Sequence, residues 1–396
     1  MAEMELEAVQ DDGRPGEAVG EMAVPEAAEG EPREPKINKY FRAVIKMDGS
    51  DLHLKANAQA RVRLGGKLRA LAGKVLTGEK IDAMMFEIMS DGQKDSYARN
   101  GSVDFAHQLG DSDRFRINMF RQRGQTSVAA RRVTKNIADF RRLNLPEPIH
   151  KITEFHQGLV LLVGVTGSGK TTTIAAALDH INATRSAHIV TLEDPIEYLF
   201  EDRKSLVNQR EIGIDVPDFA SGLKYLMRED PDVVLVGEMR DEETFHAALN
   251  AAETGHLVFG TLHASGAAQA ITRLLDLMPE ASRDLIRQSL VFNLKAVVSQ
   301  KLLPSILPGL KRVPAVEIML TNSTVRKLIE EKREDEIPDV LKMSYEEGMM
   351  DFNESLRRLV ESEAVELAVA YAASPNPDEL KMRLKGIRAG GKSILG

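Results

Sequence analysis

The eight residues Gly164-Val165-Thr166-Gly167-Ser168-Gly169-Lys170-Thr171 constrain this chain more than any other feature. They fit the pattern of a glycine, four residues, then Gly-Lys-Ser/Thr, and their setting is right. The apolar run 159–163 reads as a strand in front, and 172–181 reads as a helical segment behind. Glycines let successive backbone N–H groups turn inward around phosphate oxygens, and the following helix points its positive end at them. In such a loop Lys170 reaches the β- and γ-phosphates and Thr171 places its hydroxyl on magnesium. The expected nucleotide contacts are Gly164, Thr166, Gly167, Ser168, Gly169, Lys170, Thr171 and Thr172. A glycine-rich turn that binds nothing has no need of the closing Lys-Thr, so the expected ligand is a nucleoside triphosphate.

Length and composition set the frame. At 396 residues the chain can hold two domains with full cores. Its 43% hydrophobic and 28% charged content is that of a soluble globular protein. The absence of cysteine excludes disulfides and thiolate zinc sites. A net charge of −8 argues against unspecific nucleic-acid binding. The beginning of the chain has no basic segment followed by an apolar core, and runs such as 159–163 and 233–236 fall far short of the ~20 residues a spanning helix needs. The expectation is a cytoplasmic protein with no direct membrane insertion.

Five regions follow one another. Residues 1–35, with eleven acidic residues and two arginines, read as an acidic disordered extension. Residues 36–142 read as a small α+β domain. Ser50-Asp51-Leu52-His53-Leu54 and Ala60-Arg61-Val62-Arg63-Leu64 alternate like strands, Gly65-Gly66 makes a turn, 81–89 has helical spacing, and 113–120 alternates again. Leu145-Pro146-Glu147-Pro148 marks a stiff linker at 143–148. Residues 149–385 read as one domain: from 149 to about 278 apolar strands, at 159–163, 189–192, 233–236 and 257–261, alternate with helical stretches, the pattern of a parallel sheet covered by helices. From Ser282 the chain reads as mostly helical, at 284–298, 323–332 and 352–361, and 386–396 reads as a flexible tail.

Hydrolysis of a triphosphate also needs a metal ligand, a group to orient water and positive charge at the γ-phosphoryl. Glu238 ends the apolar run 233–236 one residue beyond Gly237, so it takes the metal-side role, or else it is a solvated strand end paired with Arg240. Thr191-Leu192-Glu193-Asp194-Pro195-Ile196-Glu197-Tyr198 sets three carboxylates past another strand, either as active-site groups or as a charged surface loop. His256 and His263 bracket a further strand and read equally well as structural residues or as γ-phosphate sensors. Arg114, Arg116, Arg121, Arg123, Arg131 and Arg132 are solvated surface, or some complete a neighbouring subunit's site.

The strings GVTGSGKT, TLEDPIEY, REDPDVVLVGEMRD and AAETGHLVFGTLHA, in this order, resemble the secretion-ATPase superfamily and, within it, the type IV pilus retraction (twitching motility) ATPases. The resemblance implies an α/β fold: a RecA-like P-loop ATPase domain preceded by a small PAS-like domain. It implies ATP and Mg2+ as cofactors, a homohexamer peripheral at the inner membrane, and an inner-membrane pilus platform protein as partner. It makes Lys170 and Thr171 the Walker-A contacts, Glu238 the Walker-B carboxylate beside Thr171 at the metal, Glu197 the water-activating base, and His256 and His263 the histidine box. Arg114, Arg116 and Arg131 fall where the family's N-terminal arginines lie. The lack of a tetracysteine module leans toward retraction. Residues 322–331 resemble the retraction group's C-terminal helix with Glu331 altered, so an accessory retraction paralogue stands as an alternative, beside a pilus-assembly or type II secretion ATPase.

Overall fold

The alternation at residues 50–54 and 60–64 builds one side of an antiparallel sheet. In the computed structural model, which describes residues 34–110 and 113–386, six strands lie in the order β3-β2-β1-β6-β5-β4. They are β1 Asp51–Lys55, β2 Arg61–Leu64, β3 Lys67–Ala70, β4 Ser102–Gln108, β5 Arg114–Gln122 and β6 Gln125–Val133. Gly65 and Gly66 join β2 to β3 with φ of 55° and 86°, a hairpin geometry glycine adopts without steric cost. Helices α1 Asn38–Lys46, α2 Gly78–Phe86 and α3 Asp91–Asn100 pack Phe41, Met85 and Tyr97 with Leu52, Ile117 and Val128 in one core. The acidic extension expected at 1–35 lies, up to residue 33, outside the described residues, as does the expected tail from residue 387.

The second sheet has seven strands in the order β13-β12-β7-β11-β10-β8-β9. They are β7 Gly158–Val163, β8 His188–Glu193, β9 Leu206–Glu211, β10 Val233–Val236, β11 Leu257–Leu262, β12 Leu294–Pro304 and β13 Arg312–Leu320. All neighbours are parallel except β12 and β13. Every residue of β7, β10 and β11 is buried, as expected of strands covered on both faces. Side-chain alternation splits β7 between two cores: Leu159, Leu161 and Val163 face one, and Val160 and Leu162 the other. Flanking and following the sheet are α4 Lys170–Thr184, α5 Phe219–Leu226, α6 Glu242–Glu253, α7 Ala267–Asp276, α8 Arg283–Asn293, α9 Ser323–Glu330, α10 Ile337–Met343, α11 Phe352–Glu361, α12 Leu367–Ala373 and α13 Pro377–Leu384. Among the described residues no helix is long and apolar enough to cross a membrane.

Two expectations need revision. The helix read at 284–298 ends at Asn293, and the chain continues as β12, paired in parallel with β7 and in an antiparallel hairpin with β13. Leu290, Val291, Leu294, Val297 and Val298 fit helical spacing, but the vacant edge of β7 offers a full ladder of hydrogen bonds, and that distant partner decides the outcome. The stiff linker read at 143–148 packs into the ATPase core: Leu145 packs with Phe140, Ile149 and Ile152 against Val160 and Ile174, and Glu147–Thr153 forms a short 3-10 helix. Residues 136–139, just before this docked stretch, carry neither helix nor strand. Across the junction Thr134 bridges Tyr198, Lys135 pairs with Glu201 at 3.1 Å and Arg114 with Glu211 at 3.8 Å.

Candidate active site

The loop between β7 and α4 is shaped by three positive-φ glycines, Gly164, Gly167 and Gly169. A Cβ on Gly164 would lie 2.5 Å from the Gln300 carbonyl oxygen, and one on Gly169 would lie 2.6 Å from the Gln300 amide nitrogen. Both positions therefore exclude any side chain. Lys170 opens α4 and folds its ammonium over the loop, donating to the Gly164 carbonyl at 2.8 Å and the Val165 carbonyl at 3.2 Å. Burial lowers its pKa. The Ser168 hydroxyl is buried without a hydrogen-bond partner. An unsatisfied hydroxyl, a buried cation and a helix N-terminus around a glycine cradle are the chemistry of a phosphate site, and a phosphate chain fits these residues.

The cleft above the loop holds about 490 Å³ and is lined by Thr166, Gly167, Gly169, Lys170, Thr171, Thr172, Glu193, Glu197, Glu238 and His263. Parallel strands bring them together: Glu193, Glu238 and His263 end or follow β8, β10 and β11, beside the loop that follows β7. Ligands in α/β sheets bind at these carboxyl ends. Glu238 accepts a hydrogen bond from Arg240 at 2.6 Å while its other oxygen lies 3.1 Å from Nε2 of His263. The Arg240 bond is the chief cause of its lowered pKa. The pairing with Arg240 and the place in the cleft thus coexist. Among the described residues no group of three His, Cys, Asp or Glu side chains could hold a metal alone.

The histidines part company. His263 reaches the cleft, but His256 precedes β11 and bonds the Ala251 carbonyl at 2.9 Å. Six strand residues at about 3.3 Å each put the two roughly 20 Å apart. The arginines divide as well. Arg116, Arg131 and Arg132 line a smaller cavity of about 260 Å³ together with Glu197 and Tyr198, so Glu197 faces both the phosphate loop and the arginine-bearing sheet of its own chain. Arg131 also pairs with Asp51 at 3.0 Å, Arg132 with Asp48 and Asp113, and Arg114 with Glu211.

Glu193 is a cleft residue that sequence reasoning passed over in favour of Glu197. It is 5% exposed and accepts from the Thr191 hydroxyl at 2.7 Å and from Gln209 at 3.1 Å. Burial pushes its carboxyl up to about 7. The available signal was its place as the last residue of a strand pairing with β10. Leu302 and Arg312, also in the cleft, were missed because the stretch between the helices read at 284–298 and 323–332 was assigned no element, and β12 and β13 run through it.

A family model described as type II/IV secretion system protein matches residues 26–372. The chain belongs to this family. This family member is 40% identical over 319 residues to a twitching motility protein of Neisseria gonorrhoeae, covering 81% of this chain and 85% of that one. It is 39% identical to the type IV pilus retraction ATPase PilT of Pseudomonas aeruginosa, over 82% of this chain and 94% of the relative. A crystal structure of the pilus retraction motor PilT with bound ADP matches it with a TM-score of 0.81 at 40% identity, covering 88% and 99% of the two chains. The secretion-system α/β architecture with a parallel-sheet core is therefore the one expected from the motifs.

Proposed function

We infer that this chain is an ATP-hydrolysing motor that powers type IV pilus retraction. The observation that carries the reading is the phosphate loop with Glu238 and His263 at its mouth, in a chain about 40% identical along most of its length to a twitching motility protein and a pilus retraction ATPase. Lys170 binds the β- and γ-phosphates. Thr171 and Glu238 would hold magnesium, and such an ion would supply positive charge beside the phosphates. Glu197 takes the proton of the attacking water as the bond to ADP breaks and phosphate leaves. His263 positions Glu238, and Arg116 and Arg131, with Arg114 nearby, supply positive charge as the arginine-bearing domain closes. His256 acts only through the fold.

The domains in this reading are a PAS-like unit from residue 36 that stops at 139, short of the 142 read from sequence, and an ATPase unit that includes the docked residues from Phe140 on. The active species is a homohexamer at the inner membrane that works through a pilus platform protein. Deleting the gene and counting surface pili tests the biological output. Excess pili without twitching support retraction, a bald strain points to an assembly motor, and retraction that fails only when another retraction ATPase is also absent assigns the accessory role. Mixing Glu238→Gln subunits with subunits altered at Arg114, Arg116 and Arg131 tests the ring, because shared sites recover turnover in mixed assemblies and self-contained ones do not.

A further inference from the structure

Gln300 lies inside β12 and is only 3% exposed, yet its amide is spent on the phosphate loop at one end and on the first turn of α4 at the other. Its Nε2 donates to the Ser168 carbonyl at 2.8 Å, and its Oε1 accepts from the Thr173 hydroxyl at 2.8 Å. The parallel register pairs Ser299 with Val163, which sets Gln300 level with the first residue of the loop. Its main-chain oxygen closes against Gly164 and its amide nitrogen against Gly169. The loop thus closes on this one residue, approached at its start by the Gln300 backbone and bonded at its end by the side chain.

A carbonyl can only accept and a hydroxyl here donates, so the post needs a donor and an acceptor about one amide apart. Glutamine supplies both, and a carboxylate or an aliphatic side chain of the same length does not. We propose that Gln300 is a positioning residue for nucleotide binding: it holds the phosphate loop in its binding conformation before phosphate arrives. The inference deepens the nucleotide-site reading and rests on it. A loop that samples other conformations lowers apparent affinity by the fraction of time it is competent. Gln300 touches neither the cleft carboxylates nor the reacting atoms, so its effect belongs to binding and not to the chemical step.

The test is ADP binding and ATP turnover by the full-length assembly. Lys170→Ala first establishes the site itself, since loss of ADP binding there supports the reading independently of Gln300. Gln300→Met, which keeps volume and removes both hydrogen bonds, is expected to raise the Kd for ADP about tenfold. The KM for ATP rises by a similar factor while kcat changes less than about threefold. Gln300→Glu keeps the acceptor but turns an oxygen toward the Ser168 carbonyl, and it weakens binding at least as much. Should Gln300→Met fail to fold, Thr173→Val carries the test with a rise of about threefold, because it removes one bond only. Wild-type ADP affinity in the Gln300 variants, or a fall in kcat with KM unchanged, overturns the proposal.

Discussion

The hydroxyls of Thr172 and Tyr198 lie 2.9 Å apart in a hydrogen bond that ties the first turn of α4 to the segment carrying Glu197. Tyr198 is also the residue that bridges Thr134, at the end of the arginine-bearing sheet. One side chain therefore touches the nucleotide loop's helix while its backbone touches the other domain. Tyr198→Phe removes only the hydroxyl, at a cost of about 1 kcal/mol. We expect ADP affinity to stay within about threefold of wild type and ATP turnover to fall several-fold, because domain closure loses its tie to the loop. Equal turnover in a stopped assay of phosphate release would show that the bond is structural only.

Lys170 and the two carboxylates separate binding from chemistry. Lys170→Ala is expected to abolish tight nucleotide binding, since Lys170 is the cleft cation folded over the glycine loop itself. Glu197→Gln and Glu238→Gln keep the shape and lose the charge, so they retain ATP binding and lose turnover by about a hundredfold or more, on the scale of general-base and metal-ligand losses. Isothermal titration beside a phosphate-release assay checks both halves. A Gln variant that turns over at the wild-type rate has no catalytic role.

Glu193 makes stability depend on pH with a definite sign. Burial pushes its carboxyl up to about 7 in the folded chain, against about 4.5 for an exposed glutamate. The folded state holds the proton more tightly, so stability falls as pH rises from about 4.5 to about 7 and is level beyond. Glu317 on β13, which accepts from the Ala267 N–H at 2.7 Å and is also pushed by burial to about 7, adds a slope of the same sign. Glu193→Gln should remove about 1–3 kcal/mol of that loss. Measured by melting, the gap between pH 5 and pH 8 should be narrower in Glu193→Gln than in wild type by a few degrees. An unchanged gap would mean the carboxyl titrates normally.

In the proposed domain movement the hinge is expected within residues 134–139, chiefly at 136–139, which carry neither helix nor strand. Leu145 and Ile149 are fixed in the ATPase core by Phe140, Ile152 and Val160, whereas the stretch before Phe140 has no such packing. Structures with and without a non-hydrolysable ATP analogue are expected to differ in backbone angles at 134–139 and to keep 143–149 unchanged. Rotation centred on 143–149 would contradict this placement, because it would have to break the core around Leu145.

The nucleotide loop was legible in the chain because everything that makes it is local: an apolar strand, glycines at the positions that turn, Lys170 and Thr171 at the head of a helix. The same holds for the hairpin at Gly65-Gly66 and for α11, which spans the residues read from their spacing. Which members of an extended motif share the cleft was a different matter. His256 and His263 are equivalent in spacing, but strand direction carries one to the cleft and the other to the opposite end of β11. Glu193 and Glu197 are neighbours in sequence, but only folding buries the first. β12 read as helix because its apolar residues satisfy both periodicities, and only the open edge of β7 resolves them. Local propensity and backbone geometry act over a few residues and so determined the loop from sequence alone. Sheet pairing and strand polarity join residues as distant as Ser168 and Gln300, and these only the tertiary structure decided.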